Sequence, residues 1–403
     1  MIDINIERLR NNLDAVGGIG RTPAGGITRL AGSKEYYEAA EILAARMRAA
    51  QLDVRMDSIG NVFGRREGLN PSLPAIMAGS HLDTVIDGGL YDGALGVCAA
   101  LECAETLNDH GIETVHPLEV VSFDYEEGSE LGGTFGSRAM TGAEDVRSPA
   151  VRSKLGEYGL SEGDLAACLR SPSGIRAFFE LHIEQGAVLD ELKIPVGVVD
   201  GIVGIVRYRI NIRGEANHAG STPMDRRRDA LLAASRLLCR MKELSLRYPA
   251  PFVFTVGTFK VFPGAVNVVP GEVEMVLEMR DLSQQNMEAF IRDVESGAKE
   301  LLPVEAQFSR IIDKPAVKMD ASLMRILEES CREGGIPCRT ISSGAGHDAK
   351  VMAGIVPSAM IFVPSVGGIS HNPNEYTAEA DIEKGTRVLL DGILRADRMW
   401  SGK

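Results

Sequence analysis

The sequence predicts an α/β fold, with a mixed, mostly parallel sheet flanked by helices and an inserted α+β unit of the ferredoxin-like (βαββαβ) type. Over residues 1–205 and 318–403, apolar runs of strand length alternate with helical patterns, which is typical of parallel sheets. Over residues 206–317 the order changes to β-α-β-β-α-β, the split βαβ arrangement. The chain has 403 residues, more than one hydrophobic core usually serves, so we expect two domains with those boundaries.

In the discontinuous domain, each element is predicted from its periodicity and its length. Apolar residues recur at helical spacing over residues 34–50, 93–109 and 321–334. Short apolar runs predict buried strands over residues 73–80, 118–123, 175–181 and 358–363, and one strand-like stretch covers 52–64. This alternation predicts a sheet with helices packed against it.

The inserted unit is predicted from half-exposed strands and two amphipathic helices. Its strands cover residues 206–213, 253–262, 271–279 and 304–311, and its helices cover 228–246 and 284–302. In the split βαβ arrangement both helices lie on one face of the sheet. The other face is therefore free for an active-site lid or a partner subunit.

Composition and charge exclude several classes of partner. The formal net charge is −13 and the pI is about 5.2, which argues against nucleic acid and against an anionic membrane surface. No apolar run approaches the roughly 20 residues that span a bilayer, and the polar N-terminus lacks a signal-peptide core. The 6 cysteines are scattered without a CxxC pair, which indicates reduced thiols and a cytoplasmic protein.

Residues of metal-ligand type follow four of the predicted strands or lie in a glycine-dense loop. They are His81, Asp92, Glu126, Glu127, His182 and His371. In open α/β sheets, ligands gather outside the carboxyl ends of the strands. Imidazole and carboxylate together suit zinc, manganese, cobalt or nickel. The set therefore predicts a pair of divalent cations, although any one of these residues alone is more often structural.

The adjacent carboxylates Glu126 and Glu127 suggest two different roles. Successive residues of an extended chain point to opposite sides, so one can ligate a cation while the other reaches a water. A carboxylate beside an activated water fits a general base that later donates the proton to the leaving amine. Asp83 would lie beside His81 and orient its ring, or else it is an ordinary loop aspartate.

Short motifs along nearly the whole chain carry a family resemblance. In order they are HLDTV, YDGALGV, EEGSE, LHIEQG, NHAGSTPM, GAVNVVPGE, EMRD, SGAGHDA and GISHNP. With these motifs the chain closely resembles the amidase/hydantoinase/carbamoylase branch of the M20 metallopeptidase-like hydrolases. The resemblance implies two divalent cations per subunit, bridged by Asp92, with His81 and His182 at one, Glu127 and His371 at the other, and Glu126 as the base.

The same resemblance assigns residues to the substrate. It implies that His218, from the inserted unit, stabilises an oxyanion across a homodimer interface, and that Arg280 grips the substrate carboxylate. The other substrate-binding positions that it implies are Gln185, Asn267, Gly344 and Ala345. Without the resemblance, His218 could stabilise a loop, Asn267 could shape its turn, and Arg280 could form a salt bridge. The pair His347-Asp348 fits loop ordering as well as direct contact with the site.

The resemblance favours hydrolysis of the carbamoyl or ureido C–N bond of a small carboxylate-bearing substrate, such as an N-carbamoyl-L-amino acid. Allantoate or ureidoglycolate amidohydrolase is the alternative within the branch. His182 disfavours an aminoacylase or dipeptidase, because the peptidase-like branches generally carry a carboxylate at that ligand. Glu126 beside a complete ligand set disfavours a non-catalytic metal-binding protein. Glu130 stands where many relatives carry arginine, so the resemblance does not assign the substrate side chain that the pocket accepts.

Overall fold

The computed structural model describes residues 1–301 and 303–401, which fold as two compact units. One unit is Met1–Asp200 together with Met319–Lys403, and the other is Gly201–Lys318. The two junctions lie at 200/201 and 318/319 in the structure, and the sequence predicts them at 205/206 and 317/318. The roles of the units, catalysis for the first and a lid or dimer contact for the second, stay predictions.

Strands and helices alternate along most of the chain. The strands are β1 (Asp53–Met56), β2 (Val62–Arg66), β3 (Ala75–His81), β4 (Leu118–Phe123), β5 (Ile175–Ile183), β6 (Val196–Ile202), β7 (Gly204–Arg213), β8 (Asn217–His218), β9 (Val253–Phe262), β10 (Val268–Val269), β11 (Glu272–Asp281), β12 (Glu305–Lys314), β13 (Val317–Lys318), β14 (Cys338–Ser343) and β15 (Ser358–Val363). The α-helices are α1 (Ile6–Gly17), α2 (Lys34–Ala49), α3 (Ala94–Asp109), α4 (Phe135–Thr141), α5 (Pro149–Arg152), α6 (Glu162–Ala167), α7 (Val188–Leu192), α8 (Ala230–Ser245), α9 (Gln284–Ala298), α10 (Ala321–Glu333), α11 (Asp348–Met352) and α12 (Glu379–Ser401).

The larger sheet has a parallel centre, which is the feature that positions the candidate site. Its order is β1-β2-β4-β3-β5-β15-β6-β13, with β14 also pairing β6. The four central strands β4, β3, β5 and β15 run parallel, while β2 and β6 join them antiparallel. Parallel strands end at the same edge of a sheet, so the residues after these four strands converge there. The predicted mixed, mostly parallel sheet is confirmed.

The central strands are apolar throughout because helices cover them. Every residue of β3, β4 and β15 is buried. Helix α3 packs on β3, β4 and β5, and α12 packs on β5 and β15. Strands buried on both faces have no solvated side, which explains why their sequences are continuous apolar runs without alternation.

The second unit is an antiparallel sheet, in the order β12-β7-β11-β9, covered by α8 and α9. Its buried core includes Ile210, Leu237, Met275 and Phe290. The other face of the sheet carries ion pairs between neighbouring strands, such as Lys260 with Glu274. The predicted inserted α+β unit is confirmed, and the short pair β8 and β10 adds to it.

Two stretches differ from the sequence prediction. Residues 52–64, expected as one strand-like stretch, form the hairpin β1–β2, because the carboxylate of Asp57 accepts hydrogen bonds from the backbone of Ile59, Gly60 and Asn61 and closes a turn. The helix expected over 284–302 ends at Ala298, and its expected last residue, number 302, lies outside the described residues.

Two further observations concern the class of protein. Among the described helices, none is long and apolar enough to cross a membrane. All six cysteines are free thiols, and four of them, Cys98, Cys103, Cys168 and Cys331, are buried. Buried thiols pack like small apolar side chains, in agreement with their place in apolar helical patterns.

Candidate metal centre

The residues of metal-ligand type gather at one edge of the larger sheet. His81 is the last residue of β3, Glu126 and Glu127 follow β4, and His371 lies in the loop after β15. His182 differs from the expectation, because it is the second-last residue of β5 and not the residue after it. Neighbouring parallel strands nevertheless bring all of them to the same edge.

Asp92 lies at the centre of this group and faces histidines on two sides. Its Oδ1 is 3.5 Å from Nε2 of His81 and 3.2 Å from Nε2 of His182. Its Oδ2 is 3.3 Å from Nε2 of His371, which in turn is 3.4 Å from Oε1 of Glu127. A tetrahedral cation with bonds of about 2.0–2.1 Å holds its ligand atoms roughly 3.3 Å apart. The spacing of these ligand-type atoms therefore fits bound divalent cations.

Two buried atoms of this group have no hydrogen-bond partner among the described residues. They are Nε2 of His182 and Oε1 of Glu127. A buried polar atom left without a partner costs free energy, so such atoms are rare in folded proteins. Two of them on residues of metal-ligand type fit a bound cation.

The histidine rings are held with Nε2 toward Asp92. Nδ1 of His81 lies 3.0 Å from the carbonyl oxygen of Asp83, and Nδ1 of His182 lies 2.9 Å from that of Ile183. A carbonyl only accepts, so each Nδ1 carries the proton. Each Nε2 then offers a lone pair to a cation, the arrangement usual for ligating histidines.

The two glutamates are placed by a turn and by Asp83. Tyr125, directly before the pair, has a positive φ of 61° and turns the chain after β4. Oδ1 of Asp83 accepts from the backbone N–H of Glu126 at 3.1 Å, and Oδ2 accepts from that of Glu127 at 2.9 Å. Oε2 of Glu126 lies 3.8 Å from Nε2 of His81, while Oε1 of Glu127 lies 3.4 Å from Nε2 of His371. The carboxylate of Asp83 thus orients the glutamates, and its carbonyl orients His81.

Burial and charge shift the titration of this group strongly. Burial lowers the pKa of His81, but Glu126, Asp92 and Asp83 outweigh it and hold that pKa well above its usual range. Burial raises the pKa of Asp92, but the neighbouring histidines hold it well below its usual range. Burial raises the pKa of Glu126 well above its usual range, although His81 opposes the effect. Such strongly shifted groups in one cluster are typical of functional sites.

Gly93, directly after Asp92, allows the loop to approach His81. It has a positive φ of 64°, and a Cβ there would lie 2.4 Å from the imidazole ring of His81. Only glycine adopts this conformation without cost and leaves room for the ring. This contact explains the glycine at position 93.

Gln185 contacts the proposed bridging residue directly. It has a positive φ of 58°, and its Nε2 donates to Oδ2 of Asp92 at 2.8 Å. The same Nε2 is 3.3 Å from Nε2 of His371. Gln185 is thus part of the group, and its predicted contact with substrate stays a prediction.

The loop between β14 and α11 packs against His182 of this group. Gly344 is exposed and Ala345 is half-buried, so both are accessible to a ligand and their predicted role stays open. His347 is buried, with its ring edge-on to that of His182 at a centroid distance of 4.5 Å. Asp348 accepts a hydrogen bond from the hydroxyl of Ser137 at 2.5 Å. These contacts order the loop, which is one of the two roles expected for the pair.

His218, Asn267 and Arg280 belong to the second unit. Nδ1 of His218 accepts from the backbone of Gly220 at 3.0 Å, so Nε2 carries the ring proton and can donate it. The carbonyl of Asn267 accepts from the backbone of Ala219 at 3.0 Å. Nε of Arg280 donates to Glu278 at 2.8 Å, the kind of salt bridge considered as the alternative to a substrate contact. Their substrate roles stay predictions.

The structure adds groups around the site that were not predicted from the sequence. Glu375 and Ser370 contact the Asp92 loop, and Glu180 accepts from the hydroxyl of Ser80 at 2.6 Å behind His182. Glu375 and Ser370 flank His371 in the sequence SHNPNE, which is the only signal that points to them.

A family model and individual relatives both match most of the chain. A family model described as peptidase family M20/M25/M40 matches residues 77–395. The chain is 40% identical over 400 residues to an N-carbamoyl-L-amino acid amidohydrolase of Geobacillus stearothermophilus, covering 96% of this chain and 97% of that protein. It is 36% identical over 396 residues to the allantoate amidohydrolase of Escherichia coli strain K12, covering 95% and 96%.

The fold agrees with these relatives. The crystal structure of an amidase of the hydantoinase/carbamoylase family from Burkholderia multivorans superposes with a TM-score of 0.89, at 35% identity and with 98% of both chains covered. The family model covers most of the chain, and the relatives align with nearly all of it. The chain therefore belongs to the M20/M25/M40 peptidase family.

Proposed function

We propose that this protein is a metal-dependent amidohydrolase that cleaves the C–N bond of a ureido acid, with an N-carbamoyl-L-amino acid as the preferred substrate. The observation that carries the proposal is Asp92, whose two oxygens face separate ligand groups. The relative of 40% identity, named an N-carbamoyl-L-amino acid amidohydrolase, supports the choice of substrate.

The cations are divalent, and zinc, manganese, cobalt and nickel are the candidates. Two ligand groups would hold them: His81, Asp92 and His182 in one, and Asp92, Glu127 and His371 in the other. When bound, divalent cations lower the pKa of water and polarise a carbonyl oxygen. The orphaned Nε2 of His182 and Oε1 of Glu127 support this assignment.

Glu126 is the proposed general base and acid. Its carboxylate takes a proton from water as the new C–O bond forms, and it delivers that proton to the nitrogen that leaves. For an N-carbamoyl amino acid the products are the amino acid, carbon dioxide and ammonia. Its burial and its place beside His81 support this role, because a raised pKa makes the carboxylate a stronger acceptor for the proton of water.

His218 and Arg280 are the proposed contacts to the rest of the substrate. The Nε2–H of His218 would donate to the oxygen that becomes negative in the tetrahedral intermediate. The guanidinium of Arg280 would exchange its pairing with Glu278 for the substrate carboxylate. Asn267, Gln185, Gly344 and Ala345 complete the proposed binding set.

A homodimer through the second unit is part of the same proposal. Strand β9 is an edge of its sheet among the described residues, and edge strands offer unpaired backbone groups to a partner. Val253 and Phe262 on β9 are 54% and 46% exposed. A cytoplasmic location is also proposed, because free thiols are usual in reducing compartments.

A substrate panel tests the proposal. Metal-reconstituted protein is assayed for ammonia release from N-carbamoyl-L-amino acids, 3-ureidopropionate, allantoate and ureidoglycolate, and for cleavage of N-acetyl amino acids and dipeptides. We expect the highest kcat/KM for an N-carbamoyl-L-amino acid. Preference for allantoate would favour the second candidate, which the relative of 36% identity supports. Cleavage of N-acetyl amino acids or dipeptides alone would contradict the proposal.

Glu126→Gln tests the role of Glu126 as general base separately from metal binding. The amide cannot take a proton, so kcat should fall by about 10²- to 10⁴-fold while the metal content stays unchanged. Glu127→Gln is the matched variant, because the neighbouring residue is a proposed ligand and its loss should lower the metal content. Retained turnover in Glu126→Gln would remove Glu126 from this role.

A further inference from the structure

The loop that carries His371 also carries a buried carboxylate, Glu375, which is 6% exposed. Its Oε1 accepts hydrogen bonds from the backbone N–H of Tyr91 at 2.9 Å and of Asp92 at 3.0 Å. Its Oε2 accepts from the hydroxyl of Ser370 at 3.0 Å. One carboxylate therefore joins the loop of Asp92 to the loop of His371, although these loops are far apart in sequence.

Ser370 extends this connection to the side chain of Asp92. The distance from its Oγ to Oδ2 of Asp92 is 3.1 Å, close to the 3.0 Å that separates it from Glu375. Oδ2 is the oxygen that faces His371. The backbone of Asp92 is thus tied to Glu375 directly, while the single hydroxyl proton of Ser370 is shared between Oε2 of Glu375 and Oδ2 of Asp92.

The packing around Glu375 leaves it little freedom. A Cβ on Gly89 would lie 2.1 Å from Oε1 of Glu375, so the loop before Asp92 lies directly against the carboxylate. Burial of a carboxylate near another one, here Asp92, is costly, and the hydrogen bonds offset that cost. A group held at such cost beside a proposed metal centre invites a functional explanation.

We propose that Glu375 is a positioning residue that fixes the loop of Asp92 against the loop of His371. The inference rests on the proposed metal assignment. A bridging carboxylate serves two cations only when both of its oxygens are correctly aimed, and Glu375 restrains Asp92 at the backbone and, through Ser370, at Oδ2. Residues that orient ligands in this way typically contribute 10- to 100-fold to metal affinity.

The test is a zinc titration of the metal-free, full-length chain and of Glu375→Gln. The neutral amide oxygen accepts from the two backbone N–H groups more weakly than a carboxylate does, and the NH₂ group must donate to the oxygen of Ser370 where Oε2 accepted from its hydroxyl. We expect zinc affinity to fall by about 10- to 100-fold with a cooperative unfolding transition retained. Turnover should return at raised zinc concentration, which a merely structural defect would not allow.

Two further variants sharpen the result. Glu379→Gln, an exposed carboxylate paired with Arg10 at 3.4 Å, is the matched control and should bind zinc like the wild type. Ser370→Ala keeps Glu375 and removes only the link from Glu375 to Oδ2 of Asp92, so zinc affinity should fall by about 2- to 10-fold. This variant tests the inference even if Glu375→Gln fails to fold. The double variant should lose less than the product of the two single losses.

Zinc affinity within twofold of the wild type in Glu375→Gln, or in Ser370→Ala if the first variant does not fold, would overturn the inference. Multiplicative losses in the double variant would also overturn it. These titrations contain no substrate, so their result is separate from the substrate panel. Tight zinc binding without hydrolysis of any ureido acid would overturn the proposed function and leave the role of Glu375 standing.

Discussion

At the scale of single residues, Asp92 has a different neighbourhood at each of its oxygens. Oδ1 faces His81 and His182, while Oδ2 faces His371 and accepts a hydrogen bond from Gln185. The sequence predicted the histidines because each is a rare, metal-ligating residue type that comes at or near the end of an apolar strand. It assigned Gln185 to the substrate only, because an amide in a loop carries no sign of the carboxylate it will contact.

Buried carboxylates away from the predicted set could not be found from the sequence. Glu375 lies in a polar stretch, HNPNEYT, that is typical of an exposed loop. Its burial comes from a contact with Tyr91 and Asp92, which are 284 and 283 residues away in the chain. Glu180 lies inside the apolar run of β5, and its partner, Ser80 on β3, is 100 residues away in the chain. Local patterns do not report such contacts.

Glu105 gives a pH-dependent stability that is separate from the metal centre. Burial raises its pKa to about 7, although Arg8 opposes the effect. Between its unfolded pKa near 4.5 and about 7, the folded state holds a proton that the unfolded state releases, so stability falls as pH rises through this window. The glutamate is partly exposed, so after solvent screening we expect a loss of about 1 kcal/mol at pH 8.

The corresponding variant is Glu105→Gln, measured by urea unfolding at pH 5 and pH 8. Because the amide does not ionise, the variant should be more stable than the wild type at pH 8, and the difference should shrink toward pH 5. Exposed Glu113→Gln is the control and should show no such trend. An equal difference at both pH values would refute the buried-carboxylate explanation.

At the scale of elements, the four parallel strands are what the sequence predicted best. Strands β4 and β15 have the predicted bounds, because continuous apolar runs bounded by polar residues leave little choice. The left-handed conformation of Tyr125, two residues after β4, was not predicted, because it leaves no mark in the hydrophobic pattern. Side-chain direction in that turn follows from backbone torsion, which residue types other than glycine rarely reveal.

Helix α3 begins directly after Gly93, and this start is predicted to be sensitive to substitution. Gly93→Ala should add the cost of a positive φ, about 1–2 kcal/mol, and should also push the ring of His81 away. Gly111→Ala is a matched control, because Gly111 has a positive φ of 60° and no atom of the described residues lies within 4 Å of its Cβ position. Both variants should lower Tm, but only Gly93→Ala should weaken zinc binding. Equal zinc affinities in the two variants would show that the contact with His81 is unimportant.

At the scale of the whole molecule, the change of pattern near residue 206 predicted two units, and two compact units are present. Periodicity distinguishes the two sheets, because apolar and polar residues alternate along the strands of a half-exposed antiparallel sheet but not along those of a covered parallel sheet. The sequence carries no comparable signal for assembly. The proposed homodimer therefore depends on exposed residues of an edge strand.

Phe262→Glu tests that assembly. Phe262 is 46% exposed on β9, and a charge there would oppose association at little cost to the monomer. Light scattering after gel filtration should give twice the chain mass of 43.3 kDa for the wild type and a shift toward the chain mass for the variant. A monomeric wild type at high concentration would contradict the proposed dimer.

The central claim is a pair of cations bridged by Asp92, and metal content measures it most directly. Zinc is counted per chain after reconstitution and removal of free metal, in the wild type and in Asp92→Ala, with exposed Glu379→Gln as the control. We predict two ions per chain in the wild type and in the control, and a loss at both positions in Asp92→Ala, because each position uses one oxygen of that side chain. A wild type that holds at most one ion, or an Asp92→Ala variant that holds two with unchanged affinity, would contradict the bridge.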